Sequence, residues 1–456
     1  MAYQAKRTGW RAGLLAMGLA LATAAPASAE TLADALVSAY RESNLLEQNR
    51  AVLRATDEDV AGAIAALRPV LAFVADSGYA RTVQTSGYTA SIGLSASLTL
   101  FDSGRSQLGV LIAQETVLAS REALVQVEQG VLLDAVSAYF DVRSALENVA
   151  INENSVRVIG EELRAAEDRF EVGEVTRTDV ALAEAQLASA RASAAAASGD
   201  LSVAREAYKA ATGHYPATLA AAPRAPALPA TLDEAKAIAL RTHPSLREAQ
   251  RQVTVSELQV RLAAAQRGPS VDASVQAGRN DNGQDTMSAG VSLSQPIYSG
   301  GSLSSLHRQA IASRDASRAA LLQSGVTIGQ SVGEAWSNIA VARAQISATD
   351  EQIRAATAAY DGVREEANLG ARTTLDVLDA EQDLLDARAT RIDAEANLQV
   401  SIYSLLASMG LLTAEHLNLG IPTYDPAAYY EAVKNAPLTS PQGKSLDRVL
   451  RALGKE

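Results

Sequence analysis

No proline occurs between Pro69 and Pro216, and none between Pro296 and Pro422. A proline inside a helix costs about 3 kcal/mol or more, so these two tracts are free to form very long helices. Both are rich in Ala, Leu, Glu, Gln and Arg, which favour helix. The first carries a strict heptad of pairs: Val110-Leu111, Val117-Leu118, Leu124-Val125, Val131-Leu132, Ala138-Tyr139 and Ala145-Leu146. A sustained seven-residue period implies a left-handed supercoil against neighbouring helices. The spacing predicts one helix over about 104–170, close to 100 Å long at 1.5 Å per residue. A weaker counterpart spans about 303–366, where Leu321, Ile328, Ala335 and Ala342 hold the same spacing.

The two tracts end in nearly the same words. "VGEVTRTDVALAEAQLASARA" begins at Val172 and "LGARTTLDVLDAEQDLLDARA" at Leu369, an offset of 197 residues. Gly173 and Gly370 suit the left-handed position that ends a helix. Thr176 and Thr373 then cap the next helix, with Asp179 and Asp376 at the reciprocal capping-box position. Each copy therefore reads as a long helix, a tight turn and a return helix, the latter over about 176–211 and 373–410. The chain divides into a first repeat (30–216), a linker (217–230), a second repeat (231–412) and a terminal segment (413–456). The linker contains "APRAPALPA" with three prolines. In the terminal segment "DPAAYYEAVKNA" predicts a short helix packed at the equator, followed by a mobile tail.

Between the helices the period changes to two. "SIGLSASLTL" sets Ile92, Leu94, Ala96, Leu98 and Leu100 on one face and Ser or Gly or Thr on the other. "SVDASVQAG" and "SAGVSLSQPIYS" repeat the pattern, and "PVLAFVADSGYA" is a less regular fourth strand. Two hairpins result, over about 70–100 and 270–298, with tips at "RTVQTSG" and "NDNGQD". Strands of about ten residues, apolar on one side and small-polar on the other, match membrane-spanning β-strands. Four strands cannot close a barrel, and open edges are not tolerated in lipid. Copies must pool their strands: two would give eight and a filled interior, three would give twelve and a wider lumen.

The first 29 residues read as a secretory leader, with Lys6, Arg7 and Arg11 before the apolar "GLLAMGLALATAA" and with "ASA" before Glu30. Its removal lowers the 40 basic residues to 37 against 52 acidic ones, a net charge of −15, which argues against a nucleic-acid partner. The chain has no cysteine, so it has no disulfide, thiolate metal site or cysteine-linked lipid.

These residues resemble the TolC-type outer-membrane channels of bacterial efflux and type I secretion. The resemblance covers nearly the whole mature chain and is carried by "RFEVGEVTRTDV" (169–180), "LGARTTLDVLDAEQDLLDAR" (369–388), "LTLFDSGR" (98–105) and "QPIYSGGS" (295–302). It implies a mixed, mostly α fold. A homotrimeric 12-strand outer-membrane barrel, four strands per chain, continues into a periplasmic coiled-coil tunnel. It also implies the non-lipidated branch and outer-membrane lipid around the barrel. The expected partners are a periplasmic adaptor and an inner-membrane transporter, ABC or proton-driven. No cofactor is expected.

The same resemblance assigns the tips. Thr178 and Asp179 match one side of a polar network that closes the periplasmic gate, and Arg372 matches its basic partner. Asp376 and Asp379 match an acidic constriction. Asp383 and Asp386 extend it as one helical stripe, for which a solvated outer face is the plain alternative. Ala367 stands where well-known members have a gate tyrosine. Val172, Gly173, Leu369 and Gly370 match the tip positions on which the adaptor docks.

Rival readings are weaker. "GQSVG" (329–333) fits a serine-hydrolase pattern but falls in a helical tract, where the strand–turn–helix elbow cannot form. "QGKS" (442–445) lacks the first glycine of a phosphate loop, having Leu438 there. His214, His243, His307 and His416 are isolated, with no metal-ligand spacing. A periplasmic coiled-coil adaptor or a structural stalk would explain the heptads but not the strands. The cargo is not written in the sequence.

Overall fold

The computed structural model describes residues 29–81, 86–434, 448, 451 and 452. All but the last residue of the expected leader (1–29), residues 82–85 of the first hairpin's tip, "QGKS" and most of the expected mobile tail lie outside the described residues.

Each half runs helix, helix, two strands, long helix, return helix. The first half holds α1 (Leu32–Glu42), α2 (Asn44–Ala65), β1 (Val70–Arg81), β2 (Ser86–Phe101), α3 (Arg105–Glu171) and α4 (Arg177–Thr212). The second holds α5 (Leu232–Thr242), α6 (Pro244–Ala265), β3 (Ser270–Asn280), β4 (Asp285–Ser294), α7 (Ser302–Asn368) and α8 (Thr374–Ser408). A short α9 (Pro426–Val433) follows.

The helices α3 and α7 contain 67 residues each, about 100 Å of continuous helix. The middle of the heptad faces inward: Val117, Val131, Leu132, Ala138 and Tyr139 of α3 are buried, as are Ile328, Ala335 and Ala342 of α7, whereas Leu111 and Leu146, near the two ends of the α3 heptad, are exposed. Along α3, α2 lies beside the part near the sheet and α4 beside the remainder; α6 and α8 flank α7 in the same way. Contact between α3 and α8 joins the halves.

The largest core lies midway along α3, where Leu132, Val136, Tyr139 and Phe140 meet Leu36 of α1, Tyr208 of α4, Val332 of α7, and Ile402 and Leu405 of α8. Glu30 is fastened into it. Its Oε1 accepts from the Tyr208 hydroxyl at 2.5 Å and lies 2.9 Å from His214 Nε2, while Oε2 accepts from the Ala217 amide at 3.1 Å. Its carbonyl accepts from the Tyr139 hydroxyl at 3.2 Å and from the Ala220 amide at 2.8 Å. One residue thereby anchors the linker to both α3 and α4.

The strands form one antiparallel sheet in the order β1-β2-β3-β4. Its register lines up Phe73, Leu94, Ala277 and Met287, and beside them Leu71, Ala96, Val275 and Ala289, on one face. The opposite face holds Ser97, Ser274 and Gly290, and then Ser95, Gln276 and Ser288. The apolar face is bare: Phe73 is 69% and Met287 80% exposed. At the seam between repeats, Gly93 opposes Gly278. A Cβ on Gly93 would lie 2.8 Å from the Ala277 carbonyl oxygen, so glycine permits this approach. A register shift between Thr99 and Phe101 sets Phe101 against Val271 on the apolar face. β4 stops at Ser294, two residues before Pro296, which has no N–H for a ladder. Among the described residues β1 and β4 each have an unpaired edge, and no helix is long and apolar enough to cross a membrane.

Near the sheet, α9 covers α2 and α3. Tyr429 donates to Glu58 at 2.8 Å, and the Arg121 guanidinium lies 5.2 Å from the Tyr430 ring centre. Beneath them Asp57 is completely buried and neither carboxylate oxygen has a hydrogen-bond partner. Loss of hydration pushes its pKa up to about 6, against the pull of Arg121. A folded value above the unfolded one means that ionisation opposes folding, so stability is greatest below the ordinary aspartate pKa and falls as pH rises through about 6. Asp57→Asn should flatten this loss and raise stability at pH 8 by on the order of 2 kcal/mol. Thermal midpoints measured from pH 4 to 8 check it; identical profiles for variant and wild type would refute it.

Candidate functional site at the helical tips

The ends of the two hairpins are built alike because their sequences place the same backbone demands. Gly173 and Gly370 adopt left-handed φ of 81° and 76°. Gly173 donates to the Phe170 carbonyl at 3.0 Å and Glu174 to that of Arg169 at 2.9 Å; Gly370 donates to Ala367 and Ala371 to Glu366 at the same distances. The carbonyls that α3 and α7 would otherwise leave unpaired are thus satisfied. Val172 and Leu369, the last residues before these glycines, point outward at 72% and 79% exposure. Each tip presents a glycine preceded by one bare apolar side chain.

The return helices start from reciprocal caps. The Thr176 amide donates to Asp179 Oδ2 at 2.8 Å, and Asp179 N donates to Thr176 Oγ1 at 3.4 Å. The Thr373 amide donates to Asp376 Oδ2 at 2.9 Å, with the return bond to Thr373 Oγ1 at 3.2 Å. Bonds from Thr176 hold the Asp179 carboxyl below the usual aspartate range, the hydroxyl first and the amide second. At Asp376 the Thr373 amide is the larger cause and the hydroxyl the smaller. Both tip aspartates are therefore firmly ionised near neutral pH.

The other named residues distribute as follows. Thr178 is exposed beside Asp179, which is half-buried. Arg372 spans its own turn, with Nε 2.8 Å from Glu366 Oε2; within one chain its partner is Glu366 rather than Asp179. Asp379, Asp383 and Asp386 line the exposed face of α8 with Asp376 half-buried at its foot, opposite the buried Val377, Leu378, Leu384 and Ala387. Gln382 donates to Asp386 at 2.8 Å. Ser331 of "GQSVG" lies inside α7. Among the described residues no group of His, Cys, Asp and Glu is placed to hold a metal ion.

Sequence reasoning missed a polar cluster with two buried carboxylates just behind the tips. Glu162 of α3 and Glu381 of α8 are 9% and 6% exposed, and Arg364 of α7, its side chain 48% exposed, places Nε 3.2 Å from Glu162 Oε1. Tyr360, one heptad before Ala367, is buried beside Ala367, Val377 and Leu384. A signal existed: Ser155, Ile159, Glu162 and Ala166 continue the four-three spacing of the buried seam of α3, so Glu162 occupies a core position.

The chain matches the family described as "Outer membrane efflux protein" over residues 35–214 and 237–411, one segment per repeat. It is 35% identical over 443 residues to the outer membrane efflux protein BepC of Brucella suis biovar 1, covering 95% of this chain and 97% of that protein. It is 27% identical over 417 residues to the outer membrane protein TolC of Escherichia coli K12, 84% of each being covered. The fold is that of the solved structure of CusC, with a TM-score of 0.74 and 20% identity, over 84% of this chain and 92% of that one. A bare apolar sheet face, two helical hairpins of about 100 Å and this agreement over both repeats have one conclusion: the chain belongs to the outer membrane efflux protein family of TolC-type channels.

Proposed function

We propose that three copies pool their sheets into a twelve-stranded barrel, and that the helical hairpins continue it as a periplasmic duct closed at the tips. The observation that carries this is the sheet itself: four strands with an apolar outward face and two unpaired edges. Lipid forbids those edges, so β4 of one copy pairs with β1 of the next. The opposite face then lines the lumen with serine, threonine, glutamine, glycine and Asp272 on β2, β3 and β4, and with Val70, Ala72 and Val74 on β1; among the described residues no helix is long and apolar enough to span the membrane. Such a duct performs no chemistry. It supplies the exit of a tripartite efflux pump or a type I secretion system, fed by an inner-membrane ABC or proton-driven transporter through a periplasmic adaptor. A strand-bearing member of this family is not the adaptor or stalk considered from the heptads alone.

Closure of the tips in this reading uses Thr178 and Asp179 of one chain against Arg372 of the next. The guanidinium engages Glu366 through Nε, and it has further N–H groups with which to bridge a neighbour. Asp376 and Asp379 form rings of three carboxylates at the mouth, continued upward by Asp383 and Asp386. The exposed pairs Val172-Gly173 and Leu369-Gly370 receive the adaptor, which opens the mouth when its contacts outweigh the polar links, each about 1 kcal/mol or less at an exposed site.

Single-channel recordings in planar bilayers test this. Asp179→Ala with Arg372→Ala should raise conductance several-fold over the closed wild type; unchanged conductance would remove the gate assignment and leave the fold intact. Asp376→Asn with Asp379→Asn should lower cation preference. A reversal potential that stays put under a salt gradient would show that the stripe faces outward into solvent.

A further inference from the structure

We propose that Glu162, Arg364 and Glu381 form a second lock on the closed tip, two buried carboxylates against a half-exposed guanidinium, joining the α3/α4 hairpin to the α7/α8 hairpin and separating when the mouth opens. The inference rests on the tip-gated reading above.

The cluster lies about 6–14 Å from the ends of the hairpins, with Arg364 four residues from the end of α7, Glu381 seven from the start of α8 and Glu162 nine from the end of α3. Three helices meet there. α3 brings Glu162 and Arg157, α7 brings Tyr360, Asp361 and Arg364, and α8 brings Glu381 and Arg388. Around it the seam is apolar: Ile159 of α3 packs with Leu378 of α8 and with Ala183 and Leu187 of α4. Two carboxylates thus share a desolvated seam in which the direct ion pair is Arg364–Glu162. Arg157 is already held by Glu161 at 2.8 Å. A carboxylate buried as Glu162 is loses its compensation when the guanidinium is withdrawn, while the 48% exposure of the Arg364 side chain lets water screen part of that loss. That is the behaviour of a latch: firm in one arrangement and intolerant of partial separation.

The repeat shows where the lock is needed. At the offset of 197 residues, Glu162 corresponds to Ala359, Arg364 to Glu167, and Glu381 to Glu184, which is exposed. The cluster therefore exists at the seam inside each chain and has no copy at the pseudo-equivalent seam between chains. Tyr360 fills the same seam one heptad above Ala367, so a bulky aromatic is retained but set back from the mouth.

The cluster also gives the lock a direction with pH. Burial pushes the Glu381 carboxyl up, with Arg388 as the largest opposing charge. A seam that favours the protonated acid holds best at low pH and loosens as pH rises above the ordinary glutamate range.

The test uses full-length trimer in planar bilayers, with heat-stable trimer migration as the folding control. Arg364→Ala should raise open-state occupancy several-fold, and the charge swap Glu162→Arg with Arg364→Glu should restore closure. Wild-type conductance should rise with pH, and Glu381→Gln should flatten that profile. Arg364→Ala as closed as wild type, while Asp179→Ala with Arg372→Ala opens, would overturn the buried lock alone. Coincident pH profiles for wild type and Glu381→Gln would do the same. A wild type that never conducts would sink the channel reading and the lock with it.

Discussion

Every second residue along β1 and β4 points its backbone N–H and C=O away from its own sheet, which cannot satisfy them, and in hydrocarbon there is no water to do so. An unmet backbone group in lipid costs several kcal/mol, so a run of them excludes a solitary sheet from the membrane. Everything below the sheet follows from that exclusion. In the proposed assembly the shared edges bring chains around an axis, and the strands that lead into α3 and α7 carry that axis onward as a hollow of helices. The long helices need no membrane function of their own; they inherit their arrangement from the closure above them.

The joints between sheet and helix show how the two repeats reach one geometry with different residues. Ser103 has a left-handed φ of 59°, and Gly300, its counterpart, has 61°. Glycine adopts this freely, whereas a serine there is strained by about 1 kcal/mol or more. Ser103 is held by its hydroxyl, which donates to the Pro269 carbonyl at 2.8 Å from the other repeat. Gly268 makes room: a Cβ there would fall 2.1 Å from Ser103 Oγ. The first joint is further fixed by Asp102, which accepts from the Gly104 amide at 3.0 Å and the Ser106 amide at 2.6 Å. Ser299 takes that place in the second repeat. One joint is thus stiffened by side chains and the other relies on two consecutive glycines.

What was legible in the sequence was what depends on neighbours along the chain. The absence of proline and the heptad announce α3 and α7, and alternation announces the strands. Gly-x-x-Thr-x-x-Asp announces the tip turns, because every bond of that motif closes within four residues or so. What was not legible depends on neighbours far away. The bulge that turns Phe101 to the apolar face reflects pairing with Val271, 170 residues on. Glu184 and Glu381 stand in the same local words, Ala-Glu, yet one is solvated and the other buried, since only the fold decides which helix α8 lies against. Arg372 likewise chose Glu366, a partner six residues back that the motif comparison did not consider.

A gate worked by a docking partner has opposing requirements. It must stay shut through thermal fluctuation, yet yield to contacts made only at its rim. Exposed links such as the one proposed between Arg372 and Asp179 are individually weak, about 1 kcal/mol or less, and weaken further with salt. In the proposed threefold assembly such terms add: three links of about 1 kcal/mol would bias the closed state by a factor on the order of 100. That is enough to keep a mouth mostly shut and little enough for an adaptor to reverse. The proposed lock behind the rim would supply what the rim lacks, since the buried carboxylates Glu162 and Glu381 lose compensation when the helices part. In that reading surface links set how readily opening begins, and the inner cluster makes the transition cooperative rather than gradual.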